Sequence, residues 1–237
     1  HGGMELKELH IARLNYACKN LSLDADLSYI EQALDQLSQH EKNLNGTLKV
    51  VISRGEGDRG YSLPLHPADV YVWFYPKQWQ HLEPEWIESG LLNHAVGLHM
   101  PHLVGLKTLN RLEQVVLKQE ADQRGWLEAL VTDVQGYIVE GVSSNCFIRI
   151  NDQWITPELR YNGVHGVMRA HILSLMQQNH ISCEQRCIEM DQIAHIQNIF
   201  FCNALHPMKA VVRFQGRTMQ QQPYLDLFNS LKLSQID

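Results

Sequence analysis

The sequence predicts an α/β (α+β) protein made of two parts. Its 237 residues are 44% hydrophobic and 19% charged, the composition of a globular protein with a sizeable core. Helix-like and strand-like hydrophobic periods alternate along the chain. The stretch from Pro76 to Pro84 indicates a linker. We therefore expect a smaller N-terminal α/β domain over residues 1–80 and a larger C-terminal α/β domain over residues 81–237.

The N-terminal part contains two helical patterns and two strand patterns. An apolar stripe predicts a first helix over Leu6–Leu21, and Ser28 and Glu31 have the spacing of a capping box that opens a second helix. A buried strand is predicted over Leu48–Ser53, and the aromatic run Val70–Tyr75 predicts another strand. The segment between these strands is a charged, glycine-rich loop.

The C-terminal part alternates strands and helices. Helices are predicted from about Thr108 to Arg124, from Gly166 to Gln178, and after Pro223. Turn residues occupy Asp133–Gly136 and Asn151-Asp152. Strands are predicted near Leu91–Gly97, Glu128–Thr132, Tyr137–Val139, Asn145–Ile150, Ser182–Cys187, Ile199–Cys202 and Lys209–Phe214.

Charge and hydropathy exclude several classes of function. The formal net charge is −6 and the basic residues are scattered, so nucleic acid and anionic membranes are not expected as partners. No stretch approaches the roughly 20 apolar residues of a membrane helix, and the start lacks a signal-peptide core. The five cysteines have neither metal-type nor redox-pair spacing and are expected to be reduced thiols. These features favour a cytoplasmic protein with a small-molecule partner.

Lys107 is the first candidate for covalent chemistry. It lies between a proline-containing loop and a predicted helix, with leucines on both sides. Partial burial at such a position would lower the pKa of the amine and make it nucleophilic, as Schiff-base chemistry requires. A lysine at the start of a helix is also commonly a solvated surface residue.

Glu140 and a glycine-bracketed loop are the next candidates. Glu140 follows a predicted strand and precedes a turn of small residues, where a carboxylate could keep a cofactor ring nitrogen protonated. The alternative is a solvated glutamate at the end of a hairpin. Gly163 to Arg169 runs into a helix whose first amides suit a phosphate, although many helices begin in this way without a ligand.

Two other chemistries find little support in the sequence. His94, His99 and His102 form the closest histidine cluster, but their spacing fits no common zinc motif, so no metal is expected. Ser143-Ser144 lacks the surroundings of a nucleophile elbow, which argues against a serine hydrolase.

Taken in order, these pieces resemble the fold-type IV pyridoxal-phosphate (PLP) enzymes over nearly the whole chain. Family members include branched-chain and D-amino-acid aminotransferases and 4-amino-4-deoxychorismate lyase. The matching motifs are His10-Ile11-Ala12-Arg13-Leu14, the Lys107 segment, Val139-Glu140-Gly141 with Ser144-Asn145, Gly166-Val167-Met168-Arg169, and Cys202-Asn203-Ala204. The resemblance implies two α/β domains with PLP between them.

The resemblance also implies roles for individual residues. Lys107 would form the Schiff base with PLP and act as the catalytic residue, and Glu140 would be the acidic partner of the pyridine nitrogen. The remaining expected cofactor contacts are Arg13, Asn145, Val167, Met168 and Asn203. Met168 and Asn203 replace threonines common in the aminotransferases, so backbone amides are expected to carry more of the phosphate contact.

Within the family, two segments favour the lyases. The run Lys107-Thr108-Leu109-Asn110-Arg111-Leu112-Glu113-Gln114 is similar to the K-x-L-N-R-L-E-Q run of aminodeoxychorismate lyases, and Arg54 to Tyr61 is similar to their R-G-x-G-x-R-G-Y loop. The implied reaction converts 4-amino-4-deoxychorismate to 4-aminobenzoate and pyruvate in folate biosynthesis. An aminotransferase of the same fold, or a PLP-binding protein without turnover, remains an alternative.

The substrate of such a lyase carries two carboxylates, which require cations. We expect Arg59 to bind one of them, with Lys49 and His165 as further substrate contacts. The resemblance also implies a homodimer. Family members carry additional strands before the position of His1, so we expect that N-terminal residues are missing from this sequence.

Overall fold

The computed structural model describes residues 3–41, 44–78 and 82–236. The chain divides into two compact units, His1–Gln80 and His81–Ile236. The helices are α1 (Lys7–Asn20), α2 (Ser28–His40), α3 (Leu112–Gln123), α4 (Val167–Gln178) and α5 (Gln222–Ser230). The strands are β1 (Gly46–Ser53), β2 (Asp69–Pro76), β3 (Glu85–Ser89), β4 (Leu130–Thr132), β5 (Ile138–Gly141), β6 (Asn145–Ile150), β7 (Gln153–Pro157), β8 (Cys183–Arg186), β9 (Ile196–Asn203), β10 (His206–Phe214) and β11 (Arg217–Thr218).

The first unit contains α1, α2 and an antiparallel pair formed by β1 and β2. Both helices and both strands were predicted, but the capping box at Ser28 was wrong. Ser28 is already helical, and its N–H donates to Asp26 Oδ1 at 2.9 Å. Glu31 instead pairs with Lys7 of α1 at 2.5 Å. The N-cap residue is Leu27, and the side-chain acceptor at this end of α2 comes from Asp26 and not from Ser28.

The second unit is organised around a mixed sheet with the strand order β11-β10-β9-β6-β7-β8, and β3 also pairs with β10. The β3–β10 and β7–β8 pairs are parallel, and the other pairs in this sheet are antiparallel. The strands β4 and β5 form a separate antiparallel pair. Apolar side chains from β6, β9 and β10 form the main core of this unit.

One strand prediction in the second unit was wrong, and one strand near it was missed. The segment Leu91–Gly97 makes only isolated bridges, from Leu91 to Leu130 and from Val96 to Asp133. The strand that joins the sheet is β3, which lies at the end of the predicted linker and carries two glutamates. Leu92 and Val96 are buried. Their apolar pattern therefore indicates that the segment packs into the core, and it does not indicate a strand that pairs with a sheet.

The strands β6 and β7 form a hairpin, and its second strand, β7, was not predicted. Asn151 and Asp152 form its turn, with φ angles of 49° and 63°. Positive φ at both central residues matches the right-handed twist of the flanking strands, and asparagine and aspartate tolerate it well. The predicted turn was therefore confirmed, whereas the strand after it, Gln153–Pro157, was missed.

Three of the five cysteines are buried, and all five are free thiols. Cys146 and Cys202 lie on the neighbouring strands β6 and β9, and Cys18 lies on α1. Burial raises the pKa of each of these three thiols above its ordinary value. The expectation of reduced thiols in apolar surroundings is confirmed for these three.

None of the helices within the described ranges is both long enough and apolar enough to cross a membrane.

Candidate active site

Lys107 lies outside regular secondary structure, in the segment that leads to α3. The helix begins at Leu112, five residues after Lys107, and not at Thr108 as predicted. Leu106 is buried, whereas Lys107 is exposed. The expectation of partial burial was therefore wrong, because the neighbouring leucine occupies the core position and the lysine does not.

The backbone around Lys107 is tied to the loop before α4. The N–H of Gly105 donates to the carbonyl of Gly163 at 3.2 Å, and the N–H of His165 donates to the carbonyl of Gly105 at 3.0 Å. Gly105 has φ +80°, and a Cβ there would overlap the exposed ring of His165. A glycine is thus required for the close approach of these two loops.

Glu140 lies on β5, half-buried, and receives two hydrogen bonds on the same oxygen. The N–H of Val164 donates to Oε2 at 3.0 Å, and Asn145 Nδ2 donates to Oε2 at 3.2 Å. Burial, reinforced by the charge of Glu128, raises the pKa of Glu140 to about 7, while the Val164 bond and the charges of Arg111 and Lys107 oppose the rise. At neutral pH this carboxyl group is poised between its two protonation states.

Asn145 connects Glu140 to the loop before α4. Besides its bond to Glu140, its Nδ2 donates to the carbonyl of Val164 at 2.9 Å. Its Oδ1 lies so close to Gly166 that a Cβ on that glycine would overlap it. The position of the Glu140 carboxyl group therefore depends on the same loop that precedes the helix.

The start of α4 is a candidate phosphate site. Gly166 is the N-cap residue, in an extended conformation, and Val167 and Met168 are the first two helical residues. Amides of the first turn have no acceptor within a helix and attract anions. The side chains of Val167 and Met168 are buried, so these residues can offer a ligand only their backbone. Arg169 is held by Thr156 and by the carbonyl of Pro157.

Asn203 uses its side chain to build one turn and to join it to another. Its Oδ1 accepts the N–H groups of Leu205 and His206, both at 3.0 Å. Its Nδ2 donates to Ser144 Oγ at 3.0 Å. Ser144 Oγ in turn donates to Glu128 Oε1 at 2.7 Å. This turn is thereby fixed to the segment between β5 and β6, next to Asn145.

Sequence reasoning assigned no role to Arg111 and Glu128, which the structure places beside the candidate residues. Arg111 precedes α3 and binds the backbone on both sides of Lys107. Glu128 is fully buried and accepts hydrogen bonds from Ser143 and Ser144. Arg111 belongs to the run that resembles the lyases, so the sequence did mark it as a residue of interest. Glu128 lies in a predicted strand, and nothing in that pattern indicated a role near the site.

Three predicted contacts lie in the first unit. Arg13 is half-buried on α1. Burial of the nearby His10 lowers the pKa of that histidine to about 4, and the charge of Arg13 is the second cause. Lys49 on β1 is exposed, and its Nζ lies 5.4 Å from the centroid of the Trp73 ring. Arg59 is exposed in the loop between β1 and β2.

The donor set of the second unit fits PLP. It offers a primary amine at Lys107, a carboxyl group at Glu140 whose pKa near 7 suits a shared proton, and an anion-binding helix start at α4. The arrangement does not resemble a metal centre. Among residues 3–41, 44–78 and 82–236, no group of three or more His, Cys, Asp or Glu side chains could hold a metal ion.

Comparisons with known proteins place these residues in a family. A family model described as amino-transferase class IV matches residues 1–214. Aminodeoxychorismate lyase from Vibrio harveyi is 28% identical over 208 residues, which cover 86% of this chain and 76% of that protein. D-Alanine aminotransferase from Bacillus licheniformis is 25% identical over 215 residues, which cover 89% of this chain and 74% of that protein.

Solved structures agree with the family model. 4-Amino-4-deoxychorismate lyase from Pseudomonas aeruginosa is 28% identical, with a TM-score of 0.79 over 96% of this chain and 86% of that chain. A hypothetical aminotransferase from Mycobacterium tuberculosis, in its PLP-bound form, shares the fold at 19% identity, with a TM-score of 0.78 over 98% of this chain and 85% of that chain. The predicted fold class and the resemblance to fold-type IV enzymes are confirmed. The chain belongs to the class IV aminotransferase family, and its cofactor is PLP.

Proposed function

We propose that this chain is a PLP-dependent lyase that converts 4-amino-4-deoxychorismate to 4-aminobenzoate and pyruvate. The proposal rests first on the pairing of an exposed amine, Lys107, with a nearby carboxyl group, Glu140, whose pKa is about 7. The run from Lys107 to Gln114, which is similar to that of the lyases, favours this reaction. So does the 28% identity to the Vibrio harveyi and Pseudomonas aeruginosa lyases.

Lys107 would hold PLP covalently through its ε-amino group. Its exposure leaves this amine accessible to the cofactor and to a substrate amine that displaces it. The displaced amine stays tethered to a backbone that is fixed to the 163–165 loop. It is therefore available as a general base and acid close to the reacting carbon.

Glu140 would hold the proton on the pyridine nitrogen of PLP. A carboxyl group with a pKa near 7 shares a proton with a ring nitrogen readily, and its two hydrogen bonds fix the orientation of the group. PLP, when bound, supplies an electron sink for the carbon that bears the substrate amine. Asn203 and the amides of Val167 and Met168 would border the phosphate.

The reaction needs one proton to be moved and one bond to be broken. The ring carbon that bears the amine loses a proton, the ring C–O bond to the enolpyruvyl group breaks, and the methylene of that group gains a proton. The two products contain all the atoms of the substrate, so no water or oxidant is consumed. Lys107 can carry this proton from one carbon to the other, and formation of an aromatic ring makes the reaction favourable.

Cations are needed for the two substrate carboxylates. We assign one of them to Arg59, whose exposed guanidinium lies in a glycine-rich loop that can close over a ligand. Lys49 and His165 are the further candidates, and Arg13 is the candidate for the cofactor phosphate. Alanine substitution of Arg59, Lys49 or His165 should raise the KM for the substrate. Alanine substitution of Arg13 should raise the PLP concentration that activity requires.

The experiment that tests the proposal mixes the PLP-loaded chain with enzymatically generated aminodeoxychorismate. We expect 4-aminobenzoate, followed by fluorescence, and pyruvate, counted in a coupled assay, to appear in equal amounts. Lys107→Ala should abolish turnover and the absorbance of covalently held PLP. Lys118→Ala is the matched control, because Lys118 lies on α3 in an exposed pair with Asp122 at 2.7 Å. Turnover by Lys107→Ala would overturn the assignment of this lysine.

An aminotransferase is the second candidate, because the Bacillus licheniformis D-alanine aminotransferase is only slightly less similar, at 25% identity over 89% of this chain. Such an enzyme would convert its PLP to the pyridoxamine form when given an amino acid alone. Spectral conversion by D-alanine, glutamate or branched-chain amino acids, without release of 4-aminobenzoate from aminodeoxychorismate, would favour it. A chain that binds PLP and does neither would be a binding protein without turnover.

We also propose that the protein acts as a homodimer, as the family resemblance implies. Light scattering coupled to size-exclusion chromatography should give twice the chain mass of 27.3 kDa. A monomer that retains full activity would contradict this part of the proposal.

A further inference from the structure

The side chain of Arg111 binds the backbone beside Lys107, and the proposed reaction assigns no role to these contacts. It lies at the N-cap position of α3, and its side chain turns back along the chain instead of pointing into solvent. Its Nη2 donates to the carbonyl of Leu106 at 3.0 Å, and its Nε donates to the carbonyl of Thr108 at 3.1 Å. These carbonyls belong to the two residues that flank Lys107.

We propose that Arg111 is a positioning residue that clamps the backbone on both sides of Lys107 and thereby places its ε-amino group for attachment to PLP and for proton transfer. The inference rests on the proposed role of Lys107. It does not depend on which substrate the enzyme uses.

The need for such a clamp follows from the local structure. The residues from Val104 to Arg111 belong to neither a helix nor a strand, and Lys107 is exposed, so burial does not fix the direction of its side chain. On the N-terminal side the segment is tied to the 163–165 loop through Gly105. On the C-terminal side the two hydrogen bonds of Arg111 tie the segment to the start of α3.

A guanidinium suits this task better than any other side chain. Its planar fork carries several N–H donors in a fixed geometry, so it can reach two carbonyls at once, and hydrogen bonds from a charged donor are stronger than neutral ones. Arg111 is half-buried, which reduces competition from water. It is also anchored, because the helix it precedes packs Leu117 and Ala121 into the core.

The same guanidinium acts electrostatically on Glu140. Its charge, like that of Lys107, favours the ionised form of this carboxyl group. Arg111 therefore contacts the backbone that carries the amine and influences the acid expected at the pyridine nitrogen. The geometry around Lys107 carries the proposal, and the charge effect is a separate consequence that a lysine substitution would preserve.

The test compares Arg111→Gln and Arg111→Lys with the parent chain. Cofactor-free protein is mixed with PLP, and the rate of covalent attachment is followed by absorbance. Borohydride reduction and peptide mass mapping then give the labelled fraction at Lys107. A displacement of about 1 Å can cost on the order of 100-fold in rate. We expect Arg111→Gln to slow attachment by about 10- to 100-fold, and Arg111→Lys, which reaches one carbonyl at a time, to fall between it and the parent.

Arg124→Gln is the matched control, because Arg124 follows the other end of α3 and pairs with Glu120 at 2.7 Å. It removes the same charge from the same helix but should leave the attachment rate unchanged. Thermal unfolding of each variant establishes that equal folded fractions are compared. For a working enzyme, the Arg111 variants should lower kcat with little change in KM, because substrate contacts are retained.

The outcomes separate this inference from the proposed reaction. Attachment rates in both Arg111 variants equal to that of the parent would overturn the clamp. A fall in Arg111→Gln with full recovery in Arg111→Lys would also overturn it, in favour of charge alone. If the parent labels at Lys107 but makes no 4-aminobenzoate, the lyase proposal fails while the attachment rates still test the clamp. Labelling at another lysine would overturn both assignments.

Discussion

Two glutamates in the second unit stand close together in the fold and differ in how their carboxyl groups are satisfied. Glu128 is fully buried, and both of its oxygens accept hydrogen bonds: Oε2 from the N–H of Ser143, and Oε1 from the hydroxyl groups of Ser143 and Ser144. Glu140 is half-buried, and both of its bonds, from Val164 and Asn145, converge on Oε2.

The difference separates a structural role from a chemical one. Burial of a carboxylate is tolerated when donors surround it, and Glu128 meets this condition. Glu140 has fewer donors, and burial, with the nearby charge of Glu128 as a smaller cause, raises its pKa to about 7. A group that is easily protonated at neutral pH is unfavourable for the fold but useful to a ligand that shares its proton. The carboxyl group with the raised pKa is thus the one at the candidate site, and the neighbouring Glu128 is the one surrounded by donors.

The largest expected effect comes from Glu128→Ala. The substitution removes the acceptor of three donors and leaves a cavity, so the cofactor-free chain should lose about 5 kcal/mol of unfolding free energy. Urea denaturation measures this loss. Glu184→Ala is the control, because Glu184 is exposed and pairs with Arg186 at 3.2 Å. If the alanine variant does not fold, Glu128→Gln should fold and show a smaller loss of unfolding free energy. A stability equal to that of the parent in either variant would contradict a structural role for Glu128.

Glu140→Gln should show the opposite pattern, with no loss of stability and a large loss of activity. Glutamine keeps an oxygen for the Val164 and Asn145 donors but cannot hold a proton on the pyridine nitrogen. We expect kcat to fall about 1000-fold, or about 4 kcal/mol of barrier. Initial rates of 4-aminobenzoate release measure it. Glu158→Gln, at an exposed pair with Arg160, should act like the parent. Full activity in Glu140→Gln would place the acidic partner elsewhere.

The pH dependence of stability offers a sharper comparison. In the cofactor-free chain the pKa of Glu140 rises from 4.5 to about 7, so the stability associated with its protonated form is fully present below pH 4.5 and is lost as the pH rises through 7. Glu140→Gln should keep that stability. The variant should therefore match the parent near pH 4.5 and exceed it above pH 7 by on the order of 3 kcal/mol. A difference that does not change with pH would contradict the raised pKa.

The smallest expected effect is that of Gly166→Ala. A Cβ at this position would overlap Asn145 Oδ1, so the side chain that orients Glu140 must shift. We expect about 2 kcal/mol of lost stability and weaker PLP binding, measured by denaturation and by cofactor titration. Gly97→Ala is the matched control, because a Cβ added to Gly97 would meet nothing within 4 Å. Equal stability and equal PLP binding in Gly166→Ala and Gly97→Ala would show that the loop before α4 accommodates the added Cβ without loss of free energy.

Much of the fold followed from local patterns. The strand Asn145–Ile150 was predicted with its observed bounds, and the helix predicted from Gly166 to Gln178 begins one residue later, at Val167. Apolar spacing and turn residues mark such elements locally. The strand Glu85–Ser89 was not predicted. It exists because it pairs in parallel with β10, more than 100 residues later, and its glutamates give no local sign of that pairing.

The candidate site was predictable in its residue types but not in its contacts. Lys107 and Glu140 were candidates from their neighbours in the sequence and gained specific roles from the family resemblance, and neither source gives the burial of a side chain. The exposure of Lys107 depends on where α3 begins. The pKa of Glu140 depends on its burial in the fold and on the charges of Arg111 and Glu128, which come from other segments. The two carbonyls that Arg111 binds are backbone groups, whose availability follows from the irregular conformation of the segment and not from any residue type.

The burial of Cys18, Cys146 and Cys202 provides an internal reporter of opening in each unit. A thiol with a raised pKa and little access to solvent reacts slowly with alkylating reagents, so labelling must await a local or global opening of the chain. Cys18 belongs to the first unit, and Cys146 and Cys202 belong to the sheet of the second. Alkylation kinetics resolved by peptide mass would therefore time the opening of the two units separately, without an engineered probe.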